Sequence, residues 1–438
     1  MPAASEEPDA LLASRGVDAA PTVDTPTAGP GPAPSAGEEG PPPPPPLTLR
    51  DGLPRVTDTD NLLAAAVAAL ASGAGPIAVD TERASGYRYG QRAYLIQLRR
   101  EGSGTFLVDP IAVTDLSGLR RVLTGPEWIL HAASQDLPCL AELDLRPTRL
   151  FDTELAGRLL GMPRVGLGPM VEAVLGRSLA KGHGAADWSR RPLPESWLEY
   201  AALDVEPLIE LRAELRGRLA DAGKLGWAEQ EFDAIRDAPP PAPRADPWRR
   251  TSGIHRIRSR RGLAIVEHLW WARDRVAREV DTAPGRLVPD ASLVAAAAAL
   301  PRDGRALQAL AGFTGRGAAR FRREWSAALA DAWSVPETDL PSAANRGDGP
   351  PPARAWAQRD PVAAARLDRA RTALAERAHA LGLPVENLLS PDLVRRLMWQ
   401  PPADPASEEV ARALREAGAR PWQVELTAEL LAAAITGD

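Results

Sequence analysis

Along the chain the apolar positions change their period, and those changes divide it. Pro76-Ile77-Ala78-Val79-Asp80, Ala93–Leu98 and Thr105–Val108 are short apolar runs bounded by turn formers, and they predict strands. Leu116–Leu123 predicts a helix, and Trp128–His131 predicts another strand. From Asp136 onward the spacing is mostly 3.6-periodic, with helices expected near 152–160, 168–175 and 194–222. Three early strands followed by strand–helix alternation imply a mixed sheet flanked by helices. Beyond residue 248 only helical spacing appears, so the expected class is α/β followed by all-α bundles.

Two breaks separate these regions. Ala238–Pro247 is rich in proline and alanine, and Asn345–Pro352 mixes glycine, asparagine and proline with nothing to bury. The expected segments are therefore 47–237, 248–336 and 354–438, joined by linkers at 238–247 and 337–353. Residues 1–46 carry 13 of the 44 prolines and almost no large apolar side chains. Such a stretch cannot bury enough surface to offset its ordering entropy, so it is expected to be a disordered acidic tail.

Charge and composition narrow the function. The net charge of −6 is carried entirely by residues 1–46, which hold seven acids and one base, so the remainder is neutral. Only Lys181 and Lys224 are lysines, a bias that a GC-rich genome produces, so arginine abundance alone is no sign of nucleic-acid binding. Residues 246–336 are different: sixteen arginines face nine acids, a net of +7, which suits phosphate contacts. A single cysteine, Cys139, excludes an internal disulfide, and five scattered histidines argue against structural zinc. No apolar run approaches the roughly 20 residues that span a bilayer, and the acidic N-terminus is unlike a signal peptide. The expectation is a soluble cytoplasmic protein without a membrane partner.

The candidate chemistry starts at Val79-Asp80-Thr81-Glu82. Two carboxylates two residues apart at a strand end share one face, because strand side chains alternate. Taken alone, the pair also fits a solvated strand end. Asp136 follows a second apolar strand at a strand-to-helix turn, and Tyr200 and Asp204 lie four residues apart on one helical face. Together the four acids have the composition of a hard-cation cage, in which magnesium or manganese takes oxygen ligands and leaves positions for phosphate. Asp152 reads as a helix N-cap rather than a further ligand, and His131 and His183 as structural. The glycine patterns Gly166-x-Gly168 and Gly312-x-x-Gly315-x-Gly317 read as turns. Trp270, Trp271 and Trp325 read as core.

These blocks resemble the three exonuclease motifs of the DEDD superfamily in its tyrosine-containing branch, most specifically bacterial ribonuclease D. Asp80-Thr81-Glu82, Asp136 and Tyr200-x-x-x-Asp204 occur in the family's order and approximate spacing. Leu95-Ile96-Gln97 and the stretch from Lys181 through Asp187-Trp188 to Arg191-Pro192 add to the match, which covers about 60–235. Arg83 departs from the apolar residue that often follows the first Glu. The resemblance implies an RNase H-like fold and hydrolysis of RNA from the 3′ end to nucleoside 5′-monophosphates with two Mg²⁺ or Mn²⁺ ions. It implies that Asp80 is shared by both ions, Glu82 and Asp204 serve one, Asp136 serves the other, and Tyr200 orients the attacking water. Single-stranded 3′ ends of tRNA-like precursors are the implied substrates. A DNA exonuclease of the same superfamily and a non-catalytic RNA-binding scaffold are the alternatives. Leu269-Trp270-Trp271-Ala272-Arg273-Asp274 and Pro284–Asp290 resemble the nucleic-acid-binding HRDC domain, and 354–438 sits where a second, divergent copy would lie.

Overall fold

A computed structural model describes residues 43–180, 182–240, 242–342 and 349–437. Most of the expected tail, Lys181 and the middle of the second expected linker lie outside them. Six strands form one sheet: β1 (Val56–Thr57), β2 (Ala74–Arg83), β3 (Ala93–Glu101), β4 (Gly104–Val108), β5 (Trp128–Leu130) and β6 (Leu150–Asp152). Their order is β1-β4-β3-β2-β5-β6. β2 and β4 run antiparallel to β3, whereas β1 is parallel to β4, and β5 and β6 continue parallel from β2. The sheet is therefore mixed, as the alternation of patterns implied. Ile77, Ala78 and Val79 are fully buried, so β2 is covered on both faces.

Helices α1 (Asp60–Ser72), α2 (Ser117–Leu123), α3 (Leu137–Glu142), α4 (Thr153–Leu159), α5 (Leu167–Leu175), α6 (Glu195–Val205), α7 (Leu208–Asp221) and α8 (Leu225–Arg236) complete this region. Several departures from the sequence pattern have local causes. Strands β1 and β6 are too short to show alternation. α1 is alanine-rich, which blurs its periodic contrast, although Leu63, Ala66 and Leu70 face inward at helical spacing. The expected single helix over 194–222 is two, because Pro207 cannot donate a backbone hydrogen bond. Glu206 at this break is buried and paired with Arg50 and Arg99, each at 3.2 Å. Gly168 and Gly317 lie inside helices rather than turns, each just after a capping glycine.

The rest is helical. α9 (Arg260–Glu279) packs with Asp290–Ala299 and Arg322–Ser334 over Ile265, Leu269, Phe313 and Trp325. Trp325 is core as expected and Trp270 is half-buried, but Trp271 is 43% exposed and corrects that expectation. It sits on the face of α9 turned from the helical core. The last segment, with helices Pro361–Ala380 and Pro421–Thr436, shares one continuous hydrophobic core with the sheet region. Trp227 of α8 and Trp422 stack at 4.9 Å, and Trp422 Nε1 donates to Glu231 at 3.0 Å. The Lys224 ammonium donates to the carbonyls of Leu159 (2.8 Å) and Leu381 (2.7 Å), joining the two segments. Among the described residues, no helix is long and apolar enough to cross a membrane.

Candidate active site

β2 carries Asp80 and Glu82 on one face, and α6 lies across that face. The helical spacing of Tyr200 and Asp204 turns both toward the strand. Carboxylate oxygens of Asp80, Glu82 and Asp204 thereby come within 4.8 Å of one another. Asp136 stands beside this trio: its Oδ1 accepts the Thr81 hydroxyl at 2.8 Å, and Arg83 lies 4.0 Å away. All five expected residues are thus gathered at one end of β2. Three acids form the tight group, and Asp136 reaches it from the neighbouring turn.

Asp152 explains how that turn is held. It caps α4, accepting from the amides of Glu154 (2.9 Å) and Leu155 (3.2 Å). The same carboxylate accepts from Ala132 (3.1 Å) and Ala133 (2.8 Å), where Ala132 adopts φ 61°. The N-cap expectation therefore holds, with a second duty that only the fold reveals. His131 bonds Thr153 at 2.9 Å, in keeping with a structural role. The segment before α6 is structural too. Trp188 is fully buried, and Arg191 clasps the Asp109 carboxylate at 2.6 and 2.8 Å. Gly182 and Gly184 lie against the Tyr200 ring and hydroxyl, and His183 meets the ring edge-on at 5.9 Å.

Burial and mutual repulsion dominate the electrostatics. Burial, then the charges of Asp136, Asp204 and Glu82, hold Asp80 well above the usual carboxylate range. Burial and the repulsion of Asp204 and Asp136 push Glu82 up to about 9, with Arg83 opposing. Burial raises Asp204 to about 7 against the stabilising hydrogen bond from Tyr200. Burial raises Asp136 to about 6, with Thr81 and Arg83 opposing. Burial and the nearby carboxylates push the Tyr200 phenol upward, so it remains a protonated donor.

Such a group of carboxylates is costly without compensating cations. A second observation fits a guest here. Gln97 pairs with Asp80 across the β2–β3 register, so both side chains share a face. It is fully buried, and neither its side-chain oxygen nor its nitrogen has a protein partner. An all-oxygen donor set with an orphaned amide beside it suits hydrated Mg²⁺ or Mn²⁺. A lone polar residue inside the apolar run Tyr94–Leu98 was the signal for Gln97. Gly182 lay inside the stretch from Lys181 that resembles the family, but nothing local announced its contact with Tyr200.

Fold and site together define a 3′–5′ exonuclease with a helical HRDC appendage. Residues 54–220 match the family model described as 3′-5′ exonuclease, 262–329 match the HRDC domain, and 349–435 match the 3′ to 5′ exonuclease C-terminal domain. The last segment is thus similar to a companion domain of such exonucleases. Ribonuclease D of Granulibacter bethesdensis is 32% identical over 276 residues, covering 61% of this chain and 68% of that protein. Escherichia coli ribonuclease D is 34% identical over 275 residues, covering 60% and 71%. Among solved structures, a protein from Bifidobacterium adolescentis superposes with TM-score 0.82 and 39% identity over 90% of this chain and 100% of its own. The E. coli RNase D structure gives TM-score 0.64 and 27% identity over 87% and 98%. The chain belongs to the ribonuclease D family and is a 3′–5′ exoribonuclease.

Proposed function

We propose that Asp80, Glu82, Asp136, Tyr200 and Asp204 form the catalytic centre, and that it works with two Mg²⁺ or Mn²⁺ ions on structured RNA precursors such as tRNA. The observation carrying this reading is the trio of carboxylates within 4.8 Å, with Glu82 buried and Asp80 and Asp204 half-buried. Asp80 would be shared by both ions, Glu82 and Asp204 would hold one, and Asp136 the other. Ions bound there supply the activation of water and the neutralisation of charge on the scissile phosphate and leaving oxygen.

The chain's own groups do the rest. Tyr200 keeps its proton, donates to Asp204, and presents its hydroxyl where an attacking water is to be oriented. Thr81 fixes the Asp136 carboxylate, and Arg83 adds positive charge beside it. Packing of α6 on β2 sets the spacing between Tyr200 and the strand acids. The +7 segment at 246–336 supplies phosphate contacts away from the cut. The structured-RNA substrate is supported by the E. coli relative, an exoribonuclease involved in structured RNA processing. The test is a metal-dependent assay on 3′-labelled RNA and DNA of matched sequence. Stepwise release of nucleoside 5′-monophosphates from RNA is expected, and stronger cleavage of DNA would overturn the substrate assignment.

A further inference from the structure

The loop that follows Glu82 and Arg83 is docked on α9. The Tyr89 hydroxyl donates to Asp274 at 2.9 Å and accepts from Arg278 at 3.1 Å. The Ala283 amide donates to the Tyr87 carbonyl at 3.0 Å, and the Arg286 guanidinium lies over the Tyr87 ring at 4.1 Å. Helical spacing puts Trp271, Asp274, Arg275 and Arg278 on one stripe of α9, so this docked face continues outward to Trp271. Trp271 is exposed, and it is the one aromatic among the exposed large apolar side chains of the described residues. Its ring is not loose: half-buried Trp270 holds it edge-on at 4.9 Å and 85°. Arg275 beside it is exposed and forms no ion pair among the described residues.

We propose that Trp271 is a stacking platform for an unpaired base of the RNA strand whose 3′ end enters the carboxylate site, with Arg275 and Arg278 facing its phosphates. The inference rests on the exoribonuclease reading and adds a subsite to it. Three observations choose this occupant. An indole left 43% exposed suits stacking by any base. Arg275, without an ion pair among the described residues, suits a polyanion, with the exposed Arg278 beside it held by Asp274. The strip begins at the loop leaving the catalytic strand. A duplex offers no free base face to such a ring, so the platform selects single strands.

The test uses the full chain in chelator, where RNA is bound and not cut, with fluorescence anisotropy as the readout. Trp271→Ala should weaken binding of a single-stranded oligonucleotide by roughly 5- to 100-fold, the scale of losing one base–aromatic stack. Trp271→Phe should retain most of the affinity. A blunt hairpin should bind all variants alike. The proposal is overturned if Trp271→Ala binds like the parent, if Trp271→Phe is as weak as Trp271→Ala, or if the blunt hairpin loses as much. Failure of the parent to release mononucleotides from RNA would instead overturn the underlying activity, so the two are separable.

Discussion

Replacing Gly182 by alanine tests whether the position of one hydroxyl controls the reaction. A Cβ built at Gly182 lies 2.9 Å from Cδ2 of Tyr200 and 3.5 Å from Cε2 and Cγ. Comfortable carbon contacts are about 3.5–4.0 Å, so the ring must retreat by roughly 0.6–1 Å. That motion carries the hydroxyl away from its place beside Asp204. A misplacement of about 1 Å at a reacting centre costs on the order of 10²-fold, so turnover should fall by about 10- to 100-fold. KM should stay within a few-fold, because the perturbation touches no element of the RNA-binding strip. Tyr200→Phe alone removes the hydroxyl and should lower turnover by roughly 10²–10⁴ while leaving metal affinity nearly intact. The double variant then decides the mechanism. If Gly182 acts through the hydroxyl, Gly182→Ala adds nothing once Tyr200 is phenylalanine. Single-turnover hydrolysis of a 3′-labelled RNA at saturating Mg²⁺ measures all four proteins. Full activity in Gly182→Ala, or losses that multiply in the double variant, would refute the reasoning.

Three further outcomes are expected. Asp80→Asn should abolish hydrolysis yet leave RNA binding in chelator intact, as measured by anisotropy; substantial turnover in folded variant protein would remove Asp80 from the site. The folded state keeps protons on Asp80, on Glu82 (about 9), on Asp204 (about 7) and on Asp136 (about 6), all above the unfolded range near 4. Between about pH 4 and 9 the native state therefore binds more protons than the unfolded chain, and this contribution is lost as pH rises. The metal-free melting temperature should fall across that window, and Mg²⁺ or Mn²⁺ should flatten the slope and release protons; a metal-free protein that gains stability with pH would contradict the burial argument. Lys224→Met removes a charged donor from the carbonyls of Leu159 and Leu381 and should cost about 2–3 kcal/mol in chemical denaturation, with earlier proteolysis near 381; an unchanged midpoint would show that the shared core and the stacked tryptophans hold the last segment without it.

Much of the site was legible in the chain because it is written in local spacings. The period-2 pair Asp80 and Glu82 and the four-residue step from Tyr200 to Asp204 determine shared faces before any tertiary contact forms. The apolar runs around them determine that one face belongs to a strand and the other to a helix. The resemblance of the blocks to ribonuclease D linked them across more than a hundred residues. What local spacing does not contain is distance between segments. Only the packing of α6 across β2 brings three carboxylates within 4.8 Å and leaves Asp136 at the Thr81 hydroxyl instead. Only the β2–β3 register places Gln97 beside Asp80, and only tertiary packing docks the loop at Tyr89 onto α9. The same limit explains the error at Trp271, which has the sequence look of core. A helix pattern reports which residues share a face, while burial depends on what arrives to cover that face. Trp422 found Trp227 on α8, whereas the neighbours of Trp271 leave it 43% exposed.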